Sequence, residues 1–196
     1  LEWSINGNLM ELVEALIAAA PQAVGFSCYI WNIQRFRELV LLIRQVLPDT
    51  IQIWGGPEAG SNAALALANG ADYVIRGEGE PSLPPLLNAI ARQDDLQKVP
   101  GLVWLENGQI KETPLPPFVD LSALPFLYSD ADLATLDNRI VYYESSRGCP
   151  FCCHFCLSAR EAPRYRDLAL VFADLTKLIA SNIRQVKFID RTFNSQ

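Results

Sequence analysis

Apolar positions along the first half of the chain alternate between a helical and an extended spacing. Some segments repeat leucine, valine or isoleucine every three or four residues, as on one face of an α-helix, and short apolar runs between them are typical of buried strands. The predicted helices are Asn8–Ala20, Gln34–Leu47, Asn62–Asn69 and Glu80–Arg92, and the predicted strands are Ala23–Ile30, Thr50–Trp54 and Asp72–Ile75. This alternation predicts an α/β domain with a doubly wound parallel sheet covered by helices on both faces.

Residues that favour helix ends support these boundaries. Pro48 follows the second predicted helix and cannot continue it. Gly70 suits the position just after the third helix, where a left-handed backbone is common. Pro81 suits the first turn of the fourth helix. We therefore expect a Rossmann-like domain over residues 1–95.

The pattern changes after residue 95. Leu102–Leu105 and Gln109–Glu112 have strand-like composition, and Asn107–Gly108 between them is a strong signal for a two-residue hairpin turn. Thr113–Leu127 contains four prolines, which favour an extended backbone. Residues 96–138 are therefore predicted to form a hairpin and a proline-rich linker.

The last third of the chain starts a new series of elements. Ile140–Glu144 is a predicted strand, Leu168–Ser181 an amphipathic helix, and Val186–Ile189 a second strand. We place a second α/β domain over residues 139–196. Since the chain starts at Leu1 rather than methionine and stops soon after a strand, we expect it to be a piece of a longer protein.

Composition and charge exclude several classes of function. Half of the 196 residues are hydrophobic, the formal charge is −6, and the pI is about 4.8. An acidic surface disfavours nucleic-acid binding, which needs clustered lysine and arginine. No apolar run approaches the roughly 20 residues that span a membrane, and there is no secretory signal. We expect a cytoplasmic protein, whose thiols stay reduced.

The five cysteines are unevenly distributed. Cys28 stands alone after a predicted strand and is expected to be a small core residue, whereas Cys149, Cys152, Cys153 and Cys156 fall within eight residues. In a reduced compartment, such a cluster indicates metal binding or catalysis. Cys149, Cys153 and Cys156 have the spacing C-x3-C-x2-C. Three thiolates on one loop can hold three irons of a 4Fe–4S cubane and leave the fourth iron open.

Other uses of these cysteines are less well supported. Cys149/Cys152 and Cys153/Cys156 could form two zinc knuckles, but the adjacent Cys152 and Cys153 cannot easily reach opposite corners of a tetrahedron. A structural disulfide is disfavoured in a reduced compartment. His154, the only histidine, is expected to face solvent rather than bind a metal.

The cysteine segment resembles the radical S-adenosylmethionine (SAM) superfamily. Ser145–Pro150 reads Ser-Ser-Arg-Gly-Cys-Pro, and Phe155 occupies the aromatic position before the last cysteine of the family motif. The resemblance implies that the open iron binds SAM, that an electron from the cluster cleaves SAM to methionine and a 5′-deoxyadenosyl radical, and that Phe155 lies near the adenine. It also implies that residues 139–196 begin a radical SAM (β/α) barrel and that Cys152 is not a ligand.

A second segment is similar to another part of this barrel. Val186–Phe193 resembles the second strand, whose polar end contacts the amino group of SAM. By this resemblance Asp190 is a SAM-binding residue. The alternative is an ordinary aspartate at the end of a strand, capping a turn.

Three loops of the first domain follow predicted parallel strands and are expected to share one sheet edge, where ligands of such domains bind. They are Ser27–Asn32, Gly55–Gly60 and Gly77–Glu80. Their glycines would let a large flat ligand approach the backbone. The segments around them resemble the cobalamin-binding domain that precedes the radical SAM domain in one subgroup. The candidate cobalamin-binding residues are Ser27, Tyr29, Trp31, Asn32, Gly55, Gly56, Pro57, Glu58, Gly77, Glu78, Gly79 and Glu80.

The resemblance departs from the cobalamin-binding pattern at two points. The first strand and helix of that domain are expected to be missing before Leu1. The chain also has no Asp-x-His-x-x-Gly loop, so any bound cobalamin would lack a histidine ligand from this chain. A dinucleotide site is a weaker alternative because Gly77-x-Gly79 lacks the third glycine of the fingerprint. A ligand-free scaffold is a further alternative.

Together these patterns predict part of a cobalamin-associated radical SAM enzyme that performs methyl transfer or other radical chemistry. The alternatives are a cofactor-binding or scaffold piece without turnover, which suits the chain alone, and a zinc-binding module. The expected partners are a small-molecule substrate and an electron donor, without nucleic acid or membrane. The oligomeric state stays open.

Overall fold

A computed structural model describes residues 6–136, 139–156, 159 and 161–193. The chain divides into two compact units, Leu1–Phe118 and Val119–Gln196. Among the helices within these ranges, none is both long enough and apolar enough to cross a membrane.

The first unit is built on a five-stranded sheet with the strands in chain order. The first three strands are parallel and the last two are antiparallel to their neighbours. The strands are β1 (Ala23–Ser27), β2 (Ile51–Gly55), β3 (Tyr73–Ile75), β4 (Leu102–Glu106) and β5 (Gln109–Glu112), and the helices are α1 (Leu9–Ala19), α2 (Ile33–Val46), α3 (Pro57–Ser61), α4 (Ala63–Ala68) and α5 (Leu83–Arg92). The predicted α/β fold with a parallel-rich sheet is confirmed.

Side chains alternate between the two faces of this sheet, and each face has its own buried core. Trp54 and Val74 lie on the face that is covered by α1, α2 and α4. Ile53 and Ile75 lie on the opposite face with Leu86 of α5. Helices therefore cover both faces, as the continuous apolar character of the strands predicts.

The hairpin belongs to the first unit, whereas the sequence analysis grouped it with the linker. Its turn forms as predicted, with Asn107 and Gly108 at φ 51° and 76°. However, β4 pairs antiparallel with β3 and extends the sheet. The cause is the apolar run of β4, since Leu102, Val103 and Trp104 are buried on the two faces of the sheet.

Other boundaries also differ from the expected ones. Helix α5 starts at Leu83, so Pro81 lies before it rather than in its first turn. The chain turns at Gly79, whose carbonyl accepts hydrogen bonds from the backbone N–H groups of Ser82 and Leu83. Strand β1 ends at Ser27, three residues earlier than predicted, because the chain turns into a loop there. Helix α3 was not predicted.

The second unit contains a strand–loop–helix–strand unit, as predicted. Its elements are α6 (Asp130–Thr135), β6 (Ile140–Tyr143), β7 (Ser146–Arg147), β8 (Arg164–Tyr165), α7 (Leu168–Ala180) and β9 (Gln185–Phe188). Strands β6 and β9 are parallel neighbours, and Val141 packs with Val171 and Leu178 of α7. The assignment of this unit to the start of a (β/α) barrel stays a prediction.

A buried polar network links three segments of the second unit. The Asp174 carboxylate accepts hydrogen bonds from the Tyr143 hydroxyl (2.8 Å) and the Arg166 Nε (3.0 Å). Arg166 also donates to the backbone carbonyls of Leu121 and Leu124. Burial and the neighbouring carboxylate raise the pKa of the Tyr143 hydroxyl well above its usual value. The network therefore ties β6, α7 and the chain near residues 121–124 together.

Candidate cofactor sites

The loop after β1 is held in a fixed shape by one asparagine. The Asn32 Oδ1 accepts a hydrogen bond from the Tyr29 backbone N–H at 2.8 Å, and its Nδ2 donates to the Ser27 carbonyl at 3.0 Å. Asparagine commonly closes loops in this way because its side chain can replace a backbone group. Asn32 therefore supports the loop from within.

Two aromatic rings of this loop stack on each other. Tyr29 and Trp31 are stacked, with centroids 4.6 Å apart and planes 10° apart. The neighbouring Ile30 is 75% exposed and Trp31 is 67% exposed. Contiguous exposed apolar patches can mark binding sites, whereas single exposed apolar side chains are common. Ile30 and Trp31 place exposed apolar surface at the carboxyl end of β1.

The first two loops pack against each other through Cys28. Its backbone N–H donates to the Gly55 carbonyl at 2.7 Å, and its carbonyl accepts from the Glu58 N–H at 3.1 Å. Gly56 has φ +86°, and a Cβ there would lie 2.8 Å from the Cys28 oxygen and 2.9 Å from its nitrogen. The Cys28 side chain is fully buried, and burial raises the pKa of its thiol to about 12. Cys28 is a core residue, as expected, and Gly56 is required by backbone packing.

The third loop lies next to the second and contains an open position. A Cβ on Gly55 or Gly60 would lie 3.8 Å from backbone atoms of Ile75 or Arg76, at the end of β3. Gly77 has φ +79°, whereas Gly79 does not have a left-handed φ, and a Cβ on Gly79 would meet no atom within 4 Å. The three predicted loops thus share one edge of the sheet, and the space beside Gly79 is open.

The cysteine loop of the second unit is closed at its base. Strands β7 and β8 pair there, with Ser146 opposite Tyr165. The Cys149 N–H donates to the Glu161 carbonyl at 2.9 Å. Gly148 has φ +94°, and a Cβ there would lie 2.5 Å from the Ala162 oxygen. The two ends of the cysteine loop therefore lie side by side. Gly148 is needed because its backbone lies so close to the Ala162 carbonyl.

The cysteine side chains are free, and their chemistry suits an iron–sulfur cluster. Cys149 is half-buried, while Cys152, Cys153 and Cys156 are exposed. Over the described ranges, no three His, Cys, Asp or Glu side chains are close enough together to hold a metal ion, so the sulfurs are not gathered in this conformation. The three free thiols of Cys149, Cys153 and Cys156 nevertheless supply the soft ligands that such a cluster requires.

The predicted SAM-binding residues have different surroundings. Phe155 is 93% exposed, and His154 faces solvent, as expected. The Asp190 Oδ1 accepts hydrogen bonds from the N–H groups of Ser145 (2.7 Å) and Ser146 (3.0 Å), and its Oδ2 accepts from the Ser145 hydroxyl. Asp190 thus caps the turn that leads into the cysteine loop, which is the alternative given above. Contact of Phe155 and Asp190 with SAM stays a prediction.

One residue that the sequence analysis missed touches the cysteine loop. The Thr192 Oγ1 lies 3.2 Å from the Cys149 Sγ. Hydrogen bonds from the Thr192 hydroxyl and the Phe151 backbone lower the pKa of the Cys149 thiol. The only signal in the sequence is that Thr192 comes two residues after Asp190, just beyond the predicted strand Val186–Ile189. In the structure this segment, β9, is parallel to β6, the strand that precedes the cysteines.

A family comparison identifies the domain that carries the first site. Residues 4–87 match the B12 binding domain. This chain contains a B12-binding domain. The match includes β1 to β3 and the three loops at their carboxyl ends. The sheet edge described above therefore lies within the B12-binding domain.

Relatives with curated names match the B12-binding domain together with sequence beyond it. The hopanoid C-3 methylase of Methylococcus capsulatus is 36% identical over 179 residues, which is 85% of this chain and 33% of that protein. The anaerobic magnesium-protoporphyrin IX monomethyl ester cyclase of Synechocystis is 32% identical over 155 residues, which is 74% of this chain and 31% of that protein. The chain therefore spans about a third of the length of these relatives.

Solved structures share the fold of the B12-binding domain and of the chain after it. The cobalamin-dependent S-adenosylmethionine radical enzyme OxsB superposes with a TM-score of 0.78 over 96% of this chain and 28% of its own, at 17% identity. The radical S-adenosylmethionine methyltransferase TsrM from Kitasatospora setae gives 0.70 over 95% of this chain and 40% of its own, at 21% identity.

Proposed function

We propose that this chain is the cofactor-binding part of a radical SAM enzyme that binds cobalamin and transfers a methyl group. The observation that carries the proposal is that a B12-binding domain and a C-x3-C-x2-C loop with free thiols occur in one chain. A relative named cobalamin-dependent radical SAM methyltransferase TokK supports it, at 26% identity over 161 residues. The proposed partners are a small-molecule substrate and an electron donor.

In this proposal Cys149, Cys153 and Cys156 bind the 4Fe–4S cluster. The Cys149 backbone is held at the base of the loop, while the side chains of Cys153 and Cys156 are exposed and accessible to iron. When bound, the cluster supplies the electron that cleaves SAM. Cys152 is not needed as a ligand, because Cys149, Cys153 and Cys156 leave one iron open for SAM.

The edge of the sheet in the first unit is the proposed cobalamin site. The stacked Tyr29 and Trp31 rings provide an apolar surface suited to a large flat ligand. Gly79 leaves room for close approach to the backbone. His154, the only histidine, belongs to the cysteine loop of the second unit, so no histidine of the first unit would bind the cobalt.

Anaerobic reconstitution with iron and sulfide tests the cluster. Single alanine variants of Cys149, Cys153 and Cys156 should lose most of the bound iron, whereas Cys152→Ala, the matched control, should keep it. The electron paramagnetic resonance (EPR) signal of the reduced wild-type cluster should change when SAM is added. Equal iron loss in Cys152→Ala and Cys153→Ala would show that the ligands are assigned wrongly.

Titration with hydroxocobalamin, followed by absorbance, tests the second cofactor. Trp31→Ala should weaken binding several-fold, while Leu41→Ala, which also removes an exposed apolar side chain but lies on α2, should not. Formation of S-adenosylhomocysteine, beside 5′-deoxyadenosine, would identify methyl donation. These assays need the full-length protein, since this chain spans only about a third of the length of its relatives.

A second candidate function is a scaffold that binds no cobalamin. It is favoured by Gly56, whose missing side chain is explained by the packing of Cys28 without any ligand. A full-length protein that holds a SAM-responsive cluster but does not bind hydroxocobalamin would support this candidate.

A further inference from the structure

The contact between Thr192 and Cys149 has no role in the function proposed so far. The two atoms are 3.2 Å apart, which is short for a hydrogen bond that involves sulfur, and the residues are separated by 43 positions in sequence. A hydroxyl from a distant part of the chain that contacts a proposed cluster ligand is a candidate for adjusting the reduction potential of the cluster.

The fold holds Thr192 at this place through a series of backbone contacts. Strand β9 pairs in parallel with β6, so that Phe188 lies opposite Tyr143. The next residue, Ile189, donates its N–H to the Tyr143 carbonyl at 2.9 Å. Asp190 then binds both N–H groups at the start of the cysteine segment. Thr192 is thereby anchored two residues beyond Asp190.

We propose that the Thr192 hydroxyl donates a hydrogen bond to the Cys149 sulfur when this sulfur binds iron, and that it raises the reduction potential of the cluster. A thiolate bound to iron carries no proton, so the hydroxyl must be the donor. Hydrogen bonds to the sulfurs are among the factors that set cluster potentials, because they stabilise the extra negative charge of the reduced state. This inference rests on the proposed cluster site.

Within it, Asp190 is a positioning residue. Its carboxylate makes three hydrogen bonds to Ser145 and Ser146 and fixes the distance between the end of β9 and the cysteine loop. Thr192 is the residue that touches the ligand sulfur. Loss of the Asp190 carboxylate should therefore affect the cluster mainly by misplacing Thr192 and Cys149.

The test compares Thr192→Val, which replaces the hydroxyl with a methyl group, with Thr192→Ser, which keeps the hydroxyl. Thr176→Val is the matched control, because Thr176 lies on α7 in the same unit and its hydroxyl bonds only the Phe172 carbonyl at 2.7 Å among the bonds described. Iron content and the midpoint potential, the latter from an EPR-monitored redox titration, are measured on each full-length protein after anaerobic reconstitution.

We expect Thr192→Val to shift the midpoint potential to a lower value, and Thr192→Ser and Thr176→Val to stay near the wild type. Loss of iron in Thr192→Val with retention in Thr192→Ser would also support the role of the hydroxyl. Equal potentials in all four proteins, or equal changes in Thr192→Val and Thr192→Ser, would overturn the inference while the cluster site stands. Wild-type protein without a cluster would instead refute the site itself.

Discussion

Gly56 and Gly79 lie in neighbouring loops of the B12-binding domain, and alanine should affect them in different ways. Gly56 has φ +86° and ψ 175°, a backbone conformation that is used almost only by glycine. Its new Cβ would also lie 2.8 Å from the Cys28 oxygen, a backbone atom that cannot move without moving β1. At Gly79 the new Cβ would meet no atom within 4 Å.

The loss of stability in Gly56→Ala can be estimated from the strained backbone conformation and the close contact with Cys28. A strained backbone conformation of this kind costs of the order of 1–3 kcal/mol, and overpacking against a fixed backbone costs a similar amount. We expect the free energy of unfolding of the first unit to fall by about 3 kcal/mol or more, a large part of the roughly 5–15 kcal/mol of a typical domain. Gly79→Ala should change this free energy by less than about 0.5 kcal/mol.

Urea denaturation followed by circular dichroism measures this difference, and hydroxocobalamin titration adds a second comparison. Gly79→Ala should unfold like the wild type but bind cobalamin less tightly if the ligand lies against this loop. Gly25→Ala is the matched control, because a Cβ at Gly25 would also meet no atom within 4 Å and this residue lies within β1, away from the loops. Wild-type stability in Gly56→Ala, or equal destabilisation by Gly79→Ala, would refute the packing argument.

Three further results are expected. Asp174→Ala should lower the stability of the second unit by about 3–5 kcal/mol in urea denaturation, because it leaves the buried Arg166 charge unpaired; an unchanged midpoint would contradict this. Cys28, with its pKa raised to about 12, should resist iodoacetamide at pH 8.5 in the native protein and react after unfolding, as mass spectrometry would show; rapid native labelling would contradict its burial. Gly148→Ala should reduce iron uptake, because its Cβ would collide with the Ala162 carbonyl and open the base of the cysteine loop; normal iron content would show that the base can open without loss of the site.

The sequence predicted the longer helices and strands of the first unit and β6, α7 and β9 of the second, because these depend on local spacing of apolar residues. It did not predict the short elements α3, α6, β7 and β8, and α6 lies within the stretch expected to be linker. It also predicted the hairpin turn at Asn107 and Gly108, which depends on two adjacent residues. It did not predict that β4 would pair with β3, since the partner of a strand depends on which neighbouring edge is free. Pairing of this kind becomes visible only when the sheet has been assembled.

The candidate sites show the same limit. Spacing singled out the cysteines and the three loops, but it suggested that Gly56 makes room for a ligand. The structure shows that the backbone of Cys28, in the loop after β1, already occupies that space. The contact of Thr192 with Cys149 was missed because it joins residues 43 positions apart, and no rule of local spacing connects them.

The small core of the second unit has a thermodynamic consequence. Its buried apolar side chains are few, namely Leu121, Leu133, Val141, Tyr143, Val171 and Leu178 among the described residues. A compact unit of this size seldom gains more than about 3–5 kcal/mol from its core alone. If the unit bound a cluster only in its native state, and if the free cluster concentration were 100 times the dissociation constant, binding would add about 2.7 kcal/mol to the free energy of unfolding. This gain is comparable to the contribution of the core. Folding of this unit and loading of iron would then be a single linked equilibrium, so the cell's supply of iron and sulfide would set how long the unit survives proteolysis.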